Sequence, residues 1–198
     1  MNNPAHITIL RHGETPLTGL FCGSSDPELT DAGWRSLAAR TKDESWDRVI
    51  TSPLRRCHAF AESLELPLDV DARVREMDFG DWEGKSTEEV WTSDQKALTA
   101  FWNDPTANPA PGGEPWAVMC ARTAEAFEEI ARAAQGQRVL LLTHAGVMRS
   151  LLVTQLGLPF ASAWKVSLPT ASVLEVTAHH DPDHATLDVQ LTALKGDG

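Results

Sequence analysis

The sequence predicts an α/β fold in which a mixed, mostly parallel sheet is flanked by helices. Three short apolar runs are each followed, directly or after a loop, by a helix-like segment, and this alternation is typical of parallel strands joined by helices. Two further apolar runs near the end of the chain are joined by a short polar stretch, so they are predicted to pair as an antiparallel hairpin.

The individual elements follow from local patterns. Residues 138–143 form a nearly continuous apolar run, as expected of a strand that is buried on both faces. Thr30 is placed to cap the helix that follows it. The predicted strands are 7–10, 48–51, 138–143, 172–176 and 186–192, and the predicted helices are 30–41, 54–66, 87–102, 115–134 and 146–156.

Prolines and glycines mark residues 103–113 as a loop, because they break regular structure. Together with the helix predicted before it, this loop is expected to form a flap over the site, within residues 84–114. The alternative is a surface connection without ligand contact. Glu114 lies near the start of the next helix. It is expected either to contact substrate or to interact favourably with the positive end of that helix's dipole.

Length and composition limit the kinds of protein that this chain can be. With 198 residues, 42% of them hydrophobic, it is expected to form one domain over residues 1–198. The formal net charge of −11 disfavours nucleic acid and anionic membranes as partners. The absence of a long apolar run and of a secretion signal predicts a cytoplasmic protein. Cys22, Cys57 and Cys120 show no paired spacing and are expected to be reduced thiols. The sequence leaves the oligomeric state open.

Two histidines directly follow predicted strands. His12 stands in Arg11-His12-Gly13 after the first strand, and His144 follows residues 138–143. Because ligands of α/β proteins usually bind at the carboxyl edge of the sheet, both histidines are expected in one pocket. A single histidine at a strand end is more often structural, so it is the pair that indicates a nucleophilic site.

Two more motifs lie between these histidines. They are Thr51-Ser52-Pro53-Leu54-Arg55-Arg56, again at a strand end, and Glu-Met-Asp-Phe-Gly-Asp-Trp-Glu-Gly at residues 76–84. With these four ordered motifs, nearly the whole chain resembles the histidine phosphatase superfamily, which includes the cofactor-dependent phosphoglycerate mutases. The resemblance implies the three-layer sandwich of the phosphoglycerate mutase-like fold.

The resemblance also implies a role for each matching residue. In that family the first histidine becomes phosphorylated and an acid donates a proton, and the matching residues are His12 and Glu76. The other matching positions are expected to bind phosphate, with His144 also counted as catalytic. They are Arg11, Arg56, His144, Thr18 and Ala145.

Less specific matches point to one branch of the superfamily. Segments such as 21–26 and 79–84 are similar to α-ribazole phosphatases, which act late in cobalamin synthesis, although broad-specificity phosphatases share the Gly-Asp-Trp-Glu-Gly stretch. Two positions depart from the pattern. Thr18 stands nearest the place of a phosphate-binding asparagine, and Cys22 stands where this branch often has arginine.

The chemistry sets requirements on these residues. Attack on phosphorus needs an unprotonated ring nitrogen, so His12 is expected to be neutral, with its other nitrogen held by a hydrogen bond. Arginine suits the phosphate clamp because its planar fork makes bidentate contacts and stays charged. For the proton donor, Asp78, Asp81 and Glu83 are chemically as able as Glu76, and only the resemblance selects Glu76.

Other polar residues are expected to be structural. Arg55 is expected to point to solvent, and Glu14 to hold the turn after the first strand by hydrogen bonds. The run from His179 to His184 contains metal-ligand types, but its Asp-Pro pair is turn chemistry and a single hairpin tip is a poor metal scaffold. No metal and no cofactor is therefore expected.

The sequence predicts a metal-independent phosphomonoesterase that acts through a phosphohistidine on a small-molecule phosphate ester, α-ribazole 5′-phosphate. Trp91, Trp102 or Trp116 is expected to stack on the base of that substrate or to belong to the core. The alternatives are a broad-specificity histidine phosphatase, a phosphoglycerate mutase and a non-catalytic phospho-ligand-binding protein. The complete set of catalytic roles argues against the last.

Overall fold

The computed structural model describes residues 3–181 and 186–196. Within these ranges the strands are β1 (Ala5–Arg11), β2 (Arg48–Thr51), β3 (Leu68–Val70), β4 (Arg138–Thr143), β5 (Val173–Asp181) and β6 (Thr186–Lys195). They form one sheet in the order β3-β2-β4-β1-β5-β6. Neighbouring strands among β1 to β4 are parallel, whereas β5 pairs antiparallel with both β1 and β6. The predicted mixed sheet with a terminal hairpin is confirmed.

The five predicted helices are all present, with shifted ends. The prediction over 54–66 runs four residues too far, and the prediction over 146–156 begins one residue late. Two short elements, β3 and the last helix, were not predicted. The described helices are α1 (Asp31–Thr41), α2 (Arg55–Glu62), α3 (Thr87–Asn103), α4 (Trp116–Ala133), α5 (Ala145–Thr154) and α6 (Phe160–Ala163).

Both faces of the sheet are buried. Successive side chains of a strand point to opposite faces, and those of β4 divide accordingly. Val139 and Leu141 join a core with residues of α3, α4 and α5, whereas Leu140 and Leu142 join a second core with residues of α1 and α2. This explains why β4 reads as a continuous apolar run, and it gives the predicted three layers.

The strand register brings three polar residues to one edge of the sheet. Arg11 of β1 pairs with Thr143 of β4, and the backbone N–H of His12 donates to the carbonyl of Thr143 at 2.9 Å. The N–H of Ser52 donates to the carbonyl of Leu142 at 3.0 Å. His12, Ser52 and His144 therefore follow neighbouring parallel strands at the same carboxyl edge.

The loop after β1 packs directly on the start of α1. A Cβ on Gly13 would lie 2.3 Å from the carbonyl oxygen of Gly33, and a Cβ on Gly33 would lie 2.3 Å from that of Glu14. The hydroxyl of Thr30 donates to the carboxylate of Glu14 at 2.8 Å and accepts from the N–H of Gly33. The predicted cap at Thr30 and the predicted structural role of Glu14 are confirmed.

The first half of the histidine-rich run, residues 179–181, lies on a strand. His179 and His180 belong to β5, which continues to Asp181, while residues 182–185 lie outside the described part of the chain. The prediction of a turn at Asp-Pro concerns those residues. Among the helices of the described ranges, none is long and apolar enough to cross a membrane.

Replacing Gly33 by alanine is expected to lower the free energy of unfolding by about 1 to 3 kcal/mol, because the new methyl group forces two backbone segments apart. Urea denaturation of the variant and the unaltered protein measures the change. The control is Gly196→Ala, since a Cβ there would meet no atom within 4 Å. Equal stability of both variants would contradict the close packing of α1 on this loop.

Candidate active site

A cavity of about 150 Å³ borders the carboxyl edge of the sheet. Five predicted site residues line it, and the segment 15–22 forms another wall. The remaining two, Arg56 and His144, are fully buried behind the cavity. The five lining residues are Arg11, His12, Thr18, Glu76 and Ala145.

A larger cavity of about 390 Å³ lies by the starts of β1 and β4. Its charged side chains pair with one another, since Arg138 contacts Glu44 and Lys195 contacts Glu175. It does not include the histidines at the opposite edge, so the smaller cavity is the candidate active site.

His12 is held as a neutral imidazole. Its Nδ1 lies 2.7 Å from the carbonyl oxygen of Gly13, and because a carbonyl only accepts, Nδ1 carries the proton and Nε2 keeps its lone pair. Burial, followed by the charges of Arg11 and Arg56, lowers the pKa of His12 to about 3. The predicted neutral ring with one anchored nitrogen is the arrangement that the structure shows.

His144 is oriented by hydrogen bonds at both ring nitrogens. Nε of Arg56 donates to its Nδ1 at 3.3 Å, so Nε2 carries the proton and donates to the hydroxyl of Ser52 at 2.7 Å. Burial, followed by the charge of Arg56, keeps the pKa of His144 well below its ordinary value. The ring centroid lies 5.3 Å from that of His12. The ring of His144 therefore lies beside that of His12, away from bulk solvent.

Arg56 uses its guanidinium mainly to bind the backbone of one loop. It donates to the carbonyl oxygens of Ser25 at 2.7 Å, Gly23 at 3.1 Å and Cys22 at 3.2 Å. Its charge acts on His12 through a buried environment, where electrostatic interactions are strong. Direct contact of Arg56 with phosphate stays a prediction.

Arg55 is exposed and pairs with Glu28, in line with its predicted solvent position.

Arg11 is the arginine at the wall beside His12. It donates one hydrogen bond to the carbonyl of Leu168, while its buried Nε has no hydrogen-bond partner among the described residues. Burial lowers the pKa of Arg11, and the carboxylate of Glu76 opposes that effect. A buried donor without a partner is a position where a ligand oxygen would be stabilised.

Among the carboxylates of residues 76–83, Glu76 is the one that lines the cavity. Its two carboxylate oxygens accept from the N–H groups of Met77 at 2.9 Å and Gly146 at 3.1 Å. Its carbonyl oxygen accepts from Arg122 at 3.2 Å. The other carboxylates that the sequence left open, at 78, 81 and 83, are not among the lining residues in the described part of the chain. Geometry therefore separates Glu76 from its competitors.

Glu83 has a structural role that the sequence did not reveal. Its carboxylate accepts from the N–H groups of Gly23, Ser24, Ser25 and Phe79 and from the hydroxyl of Ser25. Burial raises the pKa of Glu83, but these hydrogen bonds outweigh that effect and lower it. Glu83 thereby holds the loop whose carbonyls bind Arg56.

Arg122, also missed from the sequence, fixes the backbone around Glu76. It makes two 2.7 Å hydrogen bonds to the carboxylate of Glu114 and donates to the carbonyl of Arg75 at 2.8 Å. The side chains of Arg122 and Glu114 are only 11% and 9% exposed. Glu114 therefore serves as the partner of a buried arginine, and it is not among the described residues that line the cavity. It directly precedes Pro115, the N-cap of α4, and its interaction with the positive end of that helix stays a prediction.

The predicted flap over residues 84–114 does not line the cavity. Among the described residues that line it, none comes from 84–114. Trp91 and Trp102 are exposed and stack on each other with ring centroids 6.3 Å apart, and Trp116 is buried in the core. The aromatic wall is formed by Phe21, Phe79 and Trp164. Movement of residues 84–114 stays a prediction.

Arg149 is a second arginine in the cavity that the sequence did not predict. It follows Ala145 by four residues on α5, so the two share one helix face. No motif in the sequence marks this arginine.

Within the described ranges, no group of three or more histidine, cysteine, aspartate or glutamate residues is placed to hold a metal ion.

The burial of neutral His12 is expected to make stability pH-dependent. Its folded pKa of about 3 lies below the ordinary 6.5, so between these values the unfolded chain binds the proton and stability falls as pH falls. At pH 5 this amounts to about 2 kcal/mol. Urea titrations at pH 7 and pH 5 measure the free energy of unfolding that each protein loses between these pH values. The loss should be smaller by about that amount in His12→Gln than in the unaltered protein. Equal losses in both proteins would contradict a buried neutral His12.

Sequence comparisons relate the chain to phosphatases. It is 26% identical to the putative phosphoserine phosphatase 2 of Hydrogenobacter thermophilus, over 91% of this chain and 92% of that protein. It is 27% identical to the adenosylcobalamin/α-ribazole phosphatase of Salmonella typhimurium, over 80% of this chain and 83% of that protein.

A solved structure of similar fold is the native mycobacterial glucosyl-3-phosphoglycerate phosphatase. Its TM-score is 0.85 at 25% identity, with 98% of this chain and 100% of that chain covered. The family model of the histidine phosphatase superfamily, branch 1, matches residues 7–188. This match spans His12, His144 and the loop that contains Glu76. The chain therefore belongs to the histidine phosphatase superfamily.

Proposed function

We propose that this protein hydrolyses small alkyl phosphate monoesters through a phosphohistidine at His12, without a metal ion. The observation that carries the proposal is a neutral His12 whose Nδ1 is anchored to Gly13, in the same cavity as Arg11 and Glu76. A nucleophile, a fixed cation and an acid are then available to one substrate.

In the first step, Nε2 of His12 attacks phosphorus and the bond between phosphorus and the ester oxygen breaks. Protonated Glu76 gives its proton to the leaving oxygen, because an alkoxide is a poor leaving group. Arg11 stabilises the phosphoryl oxygens, and buried Arg56 adds positive charge behind the ring. The alcohol leaves, and the phosphoryl group remains covalently bound to Nε2 of His12.

In the second step, water attacks the phosphorus of the phosphohistidine. The Glu76 carboxylate accepts a proton from that water, the bond between phosphorus and Nε2 breaks, and inorganic phosphate forms. His12 is again neutral and Glu76 is again protonated. The arginines supply the positive charge that a metal ion supplies in other phosphatases, so no metal is needed for charge stabilisation.

α-Ribazole 5′-phosphate is one candidate substrate for this reaction. The sequence resemblance favours it, and a relative at 27% identity is named for that activity. A relative at 26% identity is named for phosphoserine, whose ester carries a carboxylate instead of a base. The three tryptophans expected to stack on the base lie elsewhere, so Phe21, Phe79 and Trp164 are the aromatic side chains available to it.

Brief reaction with ³²P-labelled ester should trap acid-labile, base-stable label on the protein, since a phosphohistidine has that stability. The label should be absent from His12→Ala and undiminished after exhaustive EDTA treatment. Peptide mapping locates it. Label on another residue would refute the nucleophile, and activity that disappears with EDTA and returns with zinc or magnesium would refute the metal-independent mechanism.

Glu76→Gln is expected to lower kcat about 100-fold or more for alkyl esters and much less for aryl phosphates, whose leaving groups need little protonation. Gly146→Ala should shift activity in the same direction, because its new Cβ would lie 2.1 Å from Oε1 of Glu76 and displace the carboxylate. Kinetics with propyl phosphate and p-nitrophenyl phosphate give the contrast.

The control is Asp81→Asn, which removes an exposed carboxylate of the same loop and should leave both activities near the unaltered level. Equal losses for alkyl and aryl esters in Glu76→Gln, or the selective loss in Asp81→Asn, would show that Glu76 is not the acid.

A further inference from the structure

Arg149 lines the cavity together with His12 and Arg11, yet the proposed phosphoryl transfer gives it no task. It lies on α5, one turn after Ala145, and α5 begins directly after His144. The helix therefore holds Arg149 at a fixed position relative to the reacting groups. Among the cavity-lining residues that the structure describes, Arg11 and Arg149 are cations and Glu76 is the carboxylate.

The guanidinium of Arg149 is positioned but little used. Its Cζ lies 4.9 Å from the ring centroid of Trp164, and its Nη2 donates a long hydrogen bond of 3.4 Å to the carbonyl of Val166. Its Nε is buried and has no hydrogen-bond partner within the described ranges. A guanidinium has five N–H donors, so stacking on Trp164 fixes its plane and leaves its edge available to a ligand.

The backbone of α5 places Arg149 on the same side of the cavity as the acid. The N–H of Gly146 donates to Oε2 of Glu76 at 3.1 Å, and Arg149 follows Gly146 by three residues on this helix, which puts the two about one turn apart. Besides burial, the charges that lower the pKa of His12 are those of Arg11 and Arg56. Arg149 instead lowers the pKa of Arg11, and its own pKa, lowered by burial, is raised in part by Glu76. Since Glu76 protonates the leaving oxygen, Arg149 lies where the alcohol part of the substrate binds.

We propose that Arg149, supported by Trp164, binds a carboxylate carried by the alcohol part of the substrate, so that the preferred substrates are alkyl phosphates with this second anionic group. A planar carboxylate matches the fork of an arginine and forms charge-assisted hydrogen bonds with it. This inference rests on the proposed function, because Glu76 marks the leaving-group side only if it is the acid.

The charge of the chain agrees with this assignment. With a net charge of −11, the protein repels an ester that carries a carboxylate beside its phosphate more strongly than an ester with the phosphate alone. A second local cation such as Arg149 offsets that repulsion. If Arg149 served only to support Trp164 and the carbonyl of Val166, its removal would affect esters with and without a carboxylate equally.

The test uses two matched substrate pairs that differ in the carboxylate. They are O-phosphoserine with O-phosphoethanolamine, and 3-phosphoglycerate with glycerol 3-phosphate. The unaltered protein is expected to show a kcat/KM at least about tenfold higher for the carboxylated member of at least one pair, as charge-assisted hydrogen bonds would give. Arg149→Gln should abolish most of that preference.

The control is Lys165→Gln, which removes an exposed cation next to Trp164 and should keep the preference. The circular dichroism spectrum checks that each variant is folded. If Arg149→Gln does not fold, Arg149→Met takes its place, because its apolar side chain keeps packing on Trp164. The comparison of substrates in the unaltered protein needs no variant.

The inference is overturned if the unaltered protein prefers neither carboxylated ester, or if removing Arg149 lowers both members of a pair equally. A kcat/KM for α-ribazole 5′-phosphate above all four esters would also overturn it. Each of these results leaves the phosphohistidine mechanism intact. Failure of the proposed function is distinguished by label that remains in His12→Ala.

Discussion

The parallel pairing of β1 with β4 is the constraint from which the site follows. Because Arg11 pairs with Thr143, the residues after the two strands, His12 and His144, lie side by side with ring centroids 5.3 Å apart. The two imidazoles are buried beside arginines, and protonating either would add a further positive charge to a desolvated cluster. The sheet register thereby keeps His12 neutral, and this is the form that the proposed attack on phosphorus requires.

The positive charge of Arg56 near His12 depends on a sequence of contacts that begins with the carboxylate of Glu83. Glu83 gathers the backbone N–H groups of the loop at 23–25, and the carbonyls of this loop bind the buried guanidinium of Arg56. Arg56 in turn orients His144. A buried arginine without such carbonyls would be strongly destabilising. An acidic chain thus maintains a cationic site because acidic and backbone groups outside the cavity stabilise the arginines.

The parts of the fold and site that depend on local pattern could be predicted from the sequence. Strand-end histidines and the helices after them are such features, whereas β3 and α6, with three and four residues, are too short to show periodicity. The roles of Glu76 and Glu83 could not be separated from spacing, because they depend on which backbone amides reach each carboxylate. Arg149 could not be assigned because no motif marks it, and its place in the cavity follows only from how α5 packs beside Glu76.

Catalysis and substrate choice are built from different parts of this chain. His12 and His144 follow strands of a sheet that is buried on both faces, and Glu76 is held by backbone amides and by Arg122. The other walls of the cavity, where we propose that the leaving group binds, come instead from the segment 15–22, from Arg149 and from Trp164. These walls can change without disturbing the sheet register. This separation agrees with the names of two relatives at 26% and 27% identity, which refer to esters as different as phosphoserine and α-ribazole phosphate. The motifs around the two histidines therefore do not determine which alcohol the substrate carries.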